Sequence, residues 1–355
     1  MVRALSVLTV LLAGTLFLAP PAVAGDQHLS PNTIFFVSSD DWGAARTGIQ
    51  ASDGAAFLED PEIQAIKSNL WDGFSTMLRN QISAEAGEGE EGAENMEAFK
   101  EVMTLLRDYG GAICEKSTGR LAFSVGYLED SGLIIPEVLL EFHGGDEFDG
   151  FHDRIIETMK KLSGGKLKGT NFDLGGVSFK GVIFPPEPPS PPVKAPDGLF
   201  FGHKENLYLV GISRKSLGDY LTASGGSSSG RLGDDPLYRK GKAITGKGSM
   251  KTFLSTRPIW KVVDMALGKA LKPEDGDWGG SPDPNRVLEA MGLRSFEGMY
   301  ASGTSDAKGS LTRTFIGIQG REGLFGLIPA ENTAVSLPKF VPANVIGVQV
   351  MHMEI

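Results

Sequence analysis

The sequence predicts an α+β fold: an antiparallel sheet, or sheets, with amphipathic helices packed on one face. Three observations carry that expectation. β-rich runs come in pairs around turn residues, as at 120–128 and 137–143 across Glu129 to Gly132. Between the pairs lie segments whose apolar residues recur every three to four positions. The 355 residues are 41% hydrophobic and 22% charged, which excludes a wholly disordered chain or a fibre.

Thr33 to Ser38 (TIFFVS) follows Pro31 and reads as a strand. Asp60 is placed to cap a helix whose first residue is Pro61, and Ile63, Ile66, Leu70, Phe74, Met77 and Ile82 run down one side of it. Residues 85–97 carry six Glu and no basic residue, so a solvated loop is expected there. A second amphipathic helix follows, with Phe99, Val102, Met103, Leu106 and Tyr109 on one side. After the hairpin at 120–143, Phe148, Phe151, Ile155, Met159 and Leu162 predict a helix over 147–162. Residues 172–184 read as strand around a Gly-rich turn. Residues 185–196 hold seven of the 20 prolines, a stiff extended segment rather than a packed element.

Beyond it, 198–203 and 206–213 predict a second hairpin, and 215–223 a short helix that ends in Ser/Gly low complexity. Asp235-Pro236 opens another helix, 249–255 is a strand, and 258–271 is a helix carrying Trp260. A polar loop leads to a short helix capped by Asp283, and 294–328 reads as strands turning near Ser305 to Gly309 and near Gly320. The expected organisation is a first unit at 25–184, a proline-rich linker or loop at 185–197, a second unit at 198–341, and the start of a further, truncated unit at 342–355.

The N-terminus has the pattern of an export signal. Arg3 precedes an apolar run from Leu5 to Leu18, Pro20-Pro21 breaks it, and Ala22-Val23-Ala24 is a small-x-small cleavage pattern. Removal of residues 1–24 after Ala24 is expected, which places the mature protein in the periplasm or outside the cell. An uncleaved N-terminal anchor is the alternative. The apolar run is shorter than the roughly 20 residues that a membrane span needs, and no later stretch is long enough to span. Cys114 is the only cysteine, so neither an intrachain disulfide nor a thiolate metal cluster can form. The formal charge of −10 argues against a nucleic-acid partner.

A weak internal repeat runs through these elements. Phe36-Val37-Ser38-Ser39 precedes Trp42 as Phe253-Leu254-Ser255-Thr256 precedes Trp260, each a strand end followed by a helix that carries Trp. Pro342-Ala-Asn-Val-Ile-Gly-Val-Gln repeats the pattern of Pro31-Asn-Thr-Ile-Phe-Phe-Val-Ser. With PNTIFFVSSDDW, the two Asp-Pro helix starts, LYLVGISRKSLGDYL and FVPANVIGVQVM, the chain resembles an uncharacterised family of exported bacterial proteins that carries only a domain-of-unknown-function label. That resemblance implies an exported bacterial protein and brings no activity or catalytic residue with it. It also implies that 337–355 enters another unit.

Motifs that carry chemistry are few. Gly226-Ser-Ser-Ser-Gly230 has nucleophile-elbow spacing but follows a helix inside a linker. Gly87-Glu-Gly-Glu-Glu-Gly92 has dinucleotide-loop spacing, but its own carboxylates would repel a pyrophosphate. His143, Asp146, Asp149 and His152, with Asp153, form the densest metal-ligand cluster, although Asp146 reads equally as a helix N-cap. Asp275, Asp277 and Asp283 are candidate calcium ligands in a loop that lacks the EF-hand spacing. Trp278, in the same loop, is a candidate exposed binding residue. No catalytic residue and no cofactor is assigned. The leading expectation is an exported, non-catalytic protein with a binding, assembly or structural role, partnered by an envelope protein or a polymer. The alternatives are a carrier of a hydrophobic ligand and a metal- or carboxylate-dependent hydrolase centred on His143 and His152.

Overall fold

In the computed structural model, antiparallel strands build one sheet and helices pack against it, which is the α+β class. It describes residues 26–52, 59–65, 90–130, 133–186, 194–224, 231–270, 288–306, 309–320 and 348–354, with 55, 69 and 76 as isolated positions. Ala24, Asp275, Asp277, Trp278 and Asp283 lie outside the described residues, as do both glycine motifs apart from the helical positions 90–92.

The strands are β1 (Thr33–Ser39), β2 (Leu121–Asp130), β3 (Leu133–His143), β4 (Lys168–Leu174), β5 (Val177–Ile183), β6 (Gly198–Lys204), β7 (Leu207–Gly211), β8 (Met250–Ser255), β9 (Phe296–Asp306), β10 (Gly309–Ile318) and β11 (Val348–Glu354). Their order across the sheet is β11-β10-β9-β8-β1-β2-β3-β7-β6-β5-β4. β1 to β10 are antiparallel to their neighbours; β11 runs parallel to β10. The proline-rich segment connects β5 to β6, two neighbours in this same sheet. The β4–β5 turn needs positive φ at two successive residues, and Gly175 (59°) and Gly176 (77°) supply it.

The helices are α1 (Trp42–Ala51), α2 (Glu90–Lys116), α3 (Glu147–Leu162), α4 (Arg214–Ser224), α5 (Pro236–Thr245) and α6 (Arg257–Ala270). They cover both faces of the sheet, not the one face expected. The reason is in the strands, which carry apolar residues at both parities. On β3, Leu140 and Phe142 join a core with Trp42 of α1, Leu106 and Tyr109 of α2, and Phe148 and Met159 of α3. Leu139, one position on, joins the opposite core with Leu217 and Tyr220 of α4 and Tyr238 of α5. A residue on a strand faces opposite its neighbour, so one run of Leu139-Leu140 serves two layers.

Local signals behave unequally. Asp60 and Asp235 cap as expected: Asp60 Oδ1 accepts from Glu62 N–H at 2.8 Å and Asp235 Oδ1 from Tyr238 N–H at 2.9 Å. Asp146 takes the cap position of α3, yet its side chain makes no capping bond. The cap of α1 is Asp41, which accepts from Ala44 N–H at 2.9 Å. α2 opens at Glu90, inside the acidic segment expected as loop; acids are favoured in a first helical turn.

The internal likeness acquires a geometry. β1 and β8 lie side by side at the middle of the sheet, and Phe36 pairs with Phe253, its counterpart in the repeat. Their rings stack at 5.5 Å and 23°. The hairpins beyond them share one register: Ser124 pairs Leu139 and Tyr300 pairs Phe315, a shift of 176 positions on both strands, from 124 to 300 and from 139 to 315. The same shift carries the last pair, Asp130–Leu133, onto Asp306–Gly309. β1–β3 and β8–β10 are therefore related by a pseudo-dyad through the Phe36–Phe253 pair, and β4–β7 extend one side only.

Candidate functional site

An open groove runs along α3 above the outer strands. Asp149, Asp153, Ile156 and Lys160 are spaced four, three and four residues apart, so they share one side of α3 and form its wall. Strand register builds the floor. Asn171, Lys180 and Phe201 make one row across β4, β5 and β6, and Asp173, Ser178 and His203 make the next. The groove has two lobes of about 520 Å³ each, and both are lined by Asn171 and Lys180.

Four of its ionisable groups are paired in place. Lys180 Nζ lies 2.8 Å from Asp153 Oδ1 and 3.9 Å from Asp149 Oδ1. Asp149 also faces His203, with Nδ1 at 3.3 Å. The other ring nitrogen of His203 contacts the Glu205 carbonyl at 2.5 Å, and the ring stacks on Tyr208 at 4.3 Å. Glu205 occupies the two-residue turn after β6 with φ of 57°, which brings that carbonyl back over its own strand.

Below the groove sits a buried aromatic knot. His152 is fully buried; its Nε2 shares a 2.7 Å hydrogen bond with the Tyr109 hydroxyl and its Nδ1 has no partner. The ring stacks on Phe201 at 4.5 Å. Burial, then the charges of Lys180 and His203, push the His152 pKa down from 6.5 to about 3. The ring is held neutral at any physiological pH.

The opposite face hides a different pair. Glu137 and Glu141 flank Leu139 on β3 and are almost fully buried beneath α4. Glu137 accepts from the Ser216 hydroxyl and Glu141 from the Tyr220 hydroxyl, and Arg120 Nε lies 3.4 Å from Glu141. Burial raises both carboxyl pKa values above the ordinary range; for Glu141 the Arg120 charge opposes it.

The four histidine and aspartate candidates do not assemble. His143 lies on the odd-numbered side of β3 with Glu137 and Glu141, whereas His152 is in the core on the other face, so the sheet separates them. Asp149 is committed to Lys180 and His203, and Asp146 begins α3. Among the described residues no three His, Cys, Asp or Glu side chains come together to hold a metal. The hydrolase reading centred on His143 and His152 loses its centre.

The chain matches no protein-family model, no curated protein and no solved structure. The groove must therefore be read from its own chemistry. Nothing local in the sequence distinguishes Lys180 and His203; only strand register puts them under α3. Glu137 and Glu141 left a readable trace, as two acids four apart inside the apolar run LIIPEVLLEFH. Among the described residues no helix is long and apolar enough to cross a membrane.

Proposed function

We propose that this is an exported protein of the bacterial envelope or exterior that works by binding or assembly rather than by catalysis. The observation behind this reading is the α3 groove: an open channel of polar and aromatic side chains in which Lys180 is already paired with Asp153. Such a surface suits a neutral, hydrogen-bonding polymer or a protein strand better than a reacting group that needs an unpaired nucleophile or base. The export-signal pattern of residues 1–24 in the sequence supports export.

Cosedimentation of the purified protein with insoluble envelope polymer tests the reading. The wild type should be retained, and Asn171→Ala with His203→Ala should weaken retention at least fivefold while the fold persists by circular dichroism. Retention that the double variant leaves unchanged would remove the groove from the function. Lipid carried through native mass spectrometry would replace this reading with a hydrophobic carrier. A mature protein that keeps Met1 would replace cleavage with anchoring.

A further inference from the structure

We infer that two copies of this chain join through β4, edge to edge, in an antiparallel pair centred on Asn171. β4 is the terminal strand on its side of the sheet, and among the described residues its outer edge has no strand partner. Exposed edges of soluble proteins are usually blunted by proline, bulges or repeated lysine. β4 has none of these within its seven residues: it pairs with β5 in unbroken register, holds no proline, and has one lysine, at its first position.

The edge is self-complementary in charge. An isologous antiparallel pair has its dyad perpendicular to the sheet, so each face continues onto the same face of the second copy. Centring on Asn171 sets Asp173 opposite Gly169 of the second copy. Gly169 is not empty space: a Cβ there would lie 2.6 Å from Lys160 Nζ, so the ammonium of Lys160 rests over it. Asp173, exposed and bonded to Ser178 at 2.6 Å, thus meets the Lys160 charge of its neighbour, and the dyad makes the contact twice. On the other face Phe172 meets Thr170 of the second copy, beside the Arg214 guanidinium that covers the Phe172 ring at 4.5 Å and bonds Thr170 Oγ1 at 3.0 Å. The join repeats between chains what β1 and β8 do within one.

Sedimentation equilibrium of the full chain provides the test. The wild type should show a monomer–dimer equilibrium. Asp173→Lys should raise the dimer dissociation constant at least tenfold, and Asp173→Lys with Lys160→Asp should restore it. Thermal melts confirm that each variant is folded. In a Cys114→Ser background, Asn171→Cys should form an intermolecular disulfide, because directly opposed residues have Cα atoms about 4.5–5.5 Å apart, within disulfide reach. A wild type that stays monomeric up to its solubility limit would overturn the inference. So would a dimer indifferent to Asp173→Lys, a charge swap without rescue, or an open-ended assembly.

Discussion

The two faces of the sheet both hide ionisable side chains, and they hide opposite kinds. Beneath α2 and α3, His152 is buried among aromatic rings with Tyr109 as its hydrogen-bond partner. Beneath α4, Glu137 and Glu141 are buried against hydroxyls that donate to them. Burial disfavours the charged form in both layers, but it shifts the two kinds of group in opposite directions. The histidine is held without its second proton, and burial favours the protonated form of each glutamate. The layers therefore respond to acid with opposite sign.

The largest effect belongs to His152. Its folded pKa of about 3 lies below the ordinary 6.5, so the unfolded chain binds the proton first. Stability is intact above pH 6.5 and is lost as pH falls toward 3, by about 5 kcal/mol over that window. Denaturant unfolding at a series of pH values measures the slope. His152→Phe with Tyr109→Phe should flatten it; an unchanged slope would remove the first layer as the acid-sensitive one.

The second layer has the reverse sign. Where the folded carboxyl pKa is raised, the folded chain binds more protons between the unfolded and the folded value. Stability is then greatest below that window and declines as pH rises through it. Glu137→Gln should accordingly stabilise the protein at pH 8 and leave it little changed near pH 4. Tyr220→Phe removes the hydroxyl on Glu141 and should cost about 1–3 kcal/mol, the usual penalty for a buried group left unpaired. Equal effects of Glu137→Gln at both pH values would break the contrast between the layers.

How much of this was legible depended on the range of the interaction. Asp60-Pro61 and Asp235-Pro236 announce helix starts because a cap acts within three residues, and the β2–β3 hairpin is readable because its strands are adjacent in the chain. Two-sided burial was less visible. Leu139-Leu140 records it, but the same pair is equally at home in a one-sided strand with a stray leucine. The candidate site failed for a sharper reason. His143 and His152 are nine positions apart, close enough to look like a ligand pair, yet β3 ends between them and α3 returns on the far face. Lys180 and His203 come together with Asp149 only through the β5–β6 pairing, which spans the proline-rich segment and has no local signature. The repeat was the exception, since Phe36 and Phe253 are far apart in sequence and their flanking motifs still marked them as equivalent.

The smallest expected effect lies where the groove and the first layer meet, at Lys180. Its ion pairs with Asp149 and Asp153 are partly exposed, with 30% of the lysine side chain accessible to solvent, and such pairs are worth less than about 1 kcal/mol. Lys180→Met keeps the aliphatic stem and should leave stability at pH 7 nearly unchanged. The same charge, however, sits in the groove floor and helps to keep the buried His152 neutral. Removing it makes the buried ring easier to protonate, so less stability is lost on acidification. The acid limb of the unfolding curve should therefore move to lower pH, although the ion pairs lost are on the surface. If Lys180→Met lowered stability at pH 7 by several kcal/mol and left the acid limb in place, the lysine would be a packing residue of the groove, and the layer beneath would be electrically isolated from it.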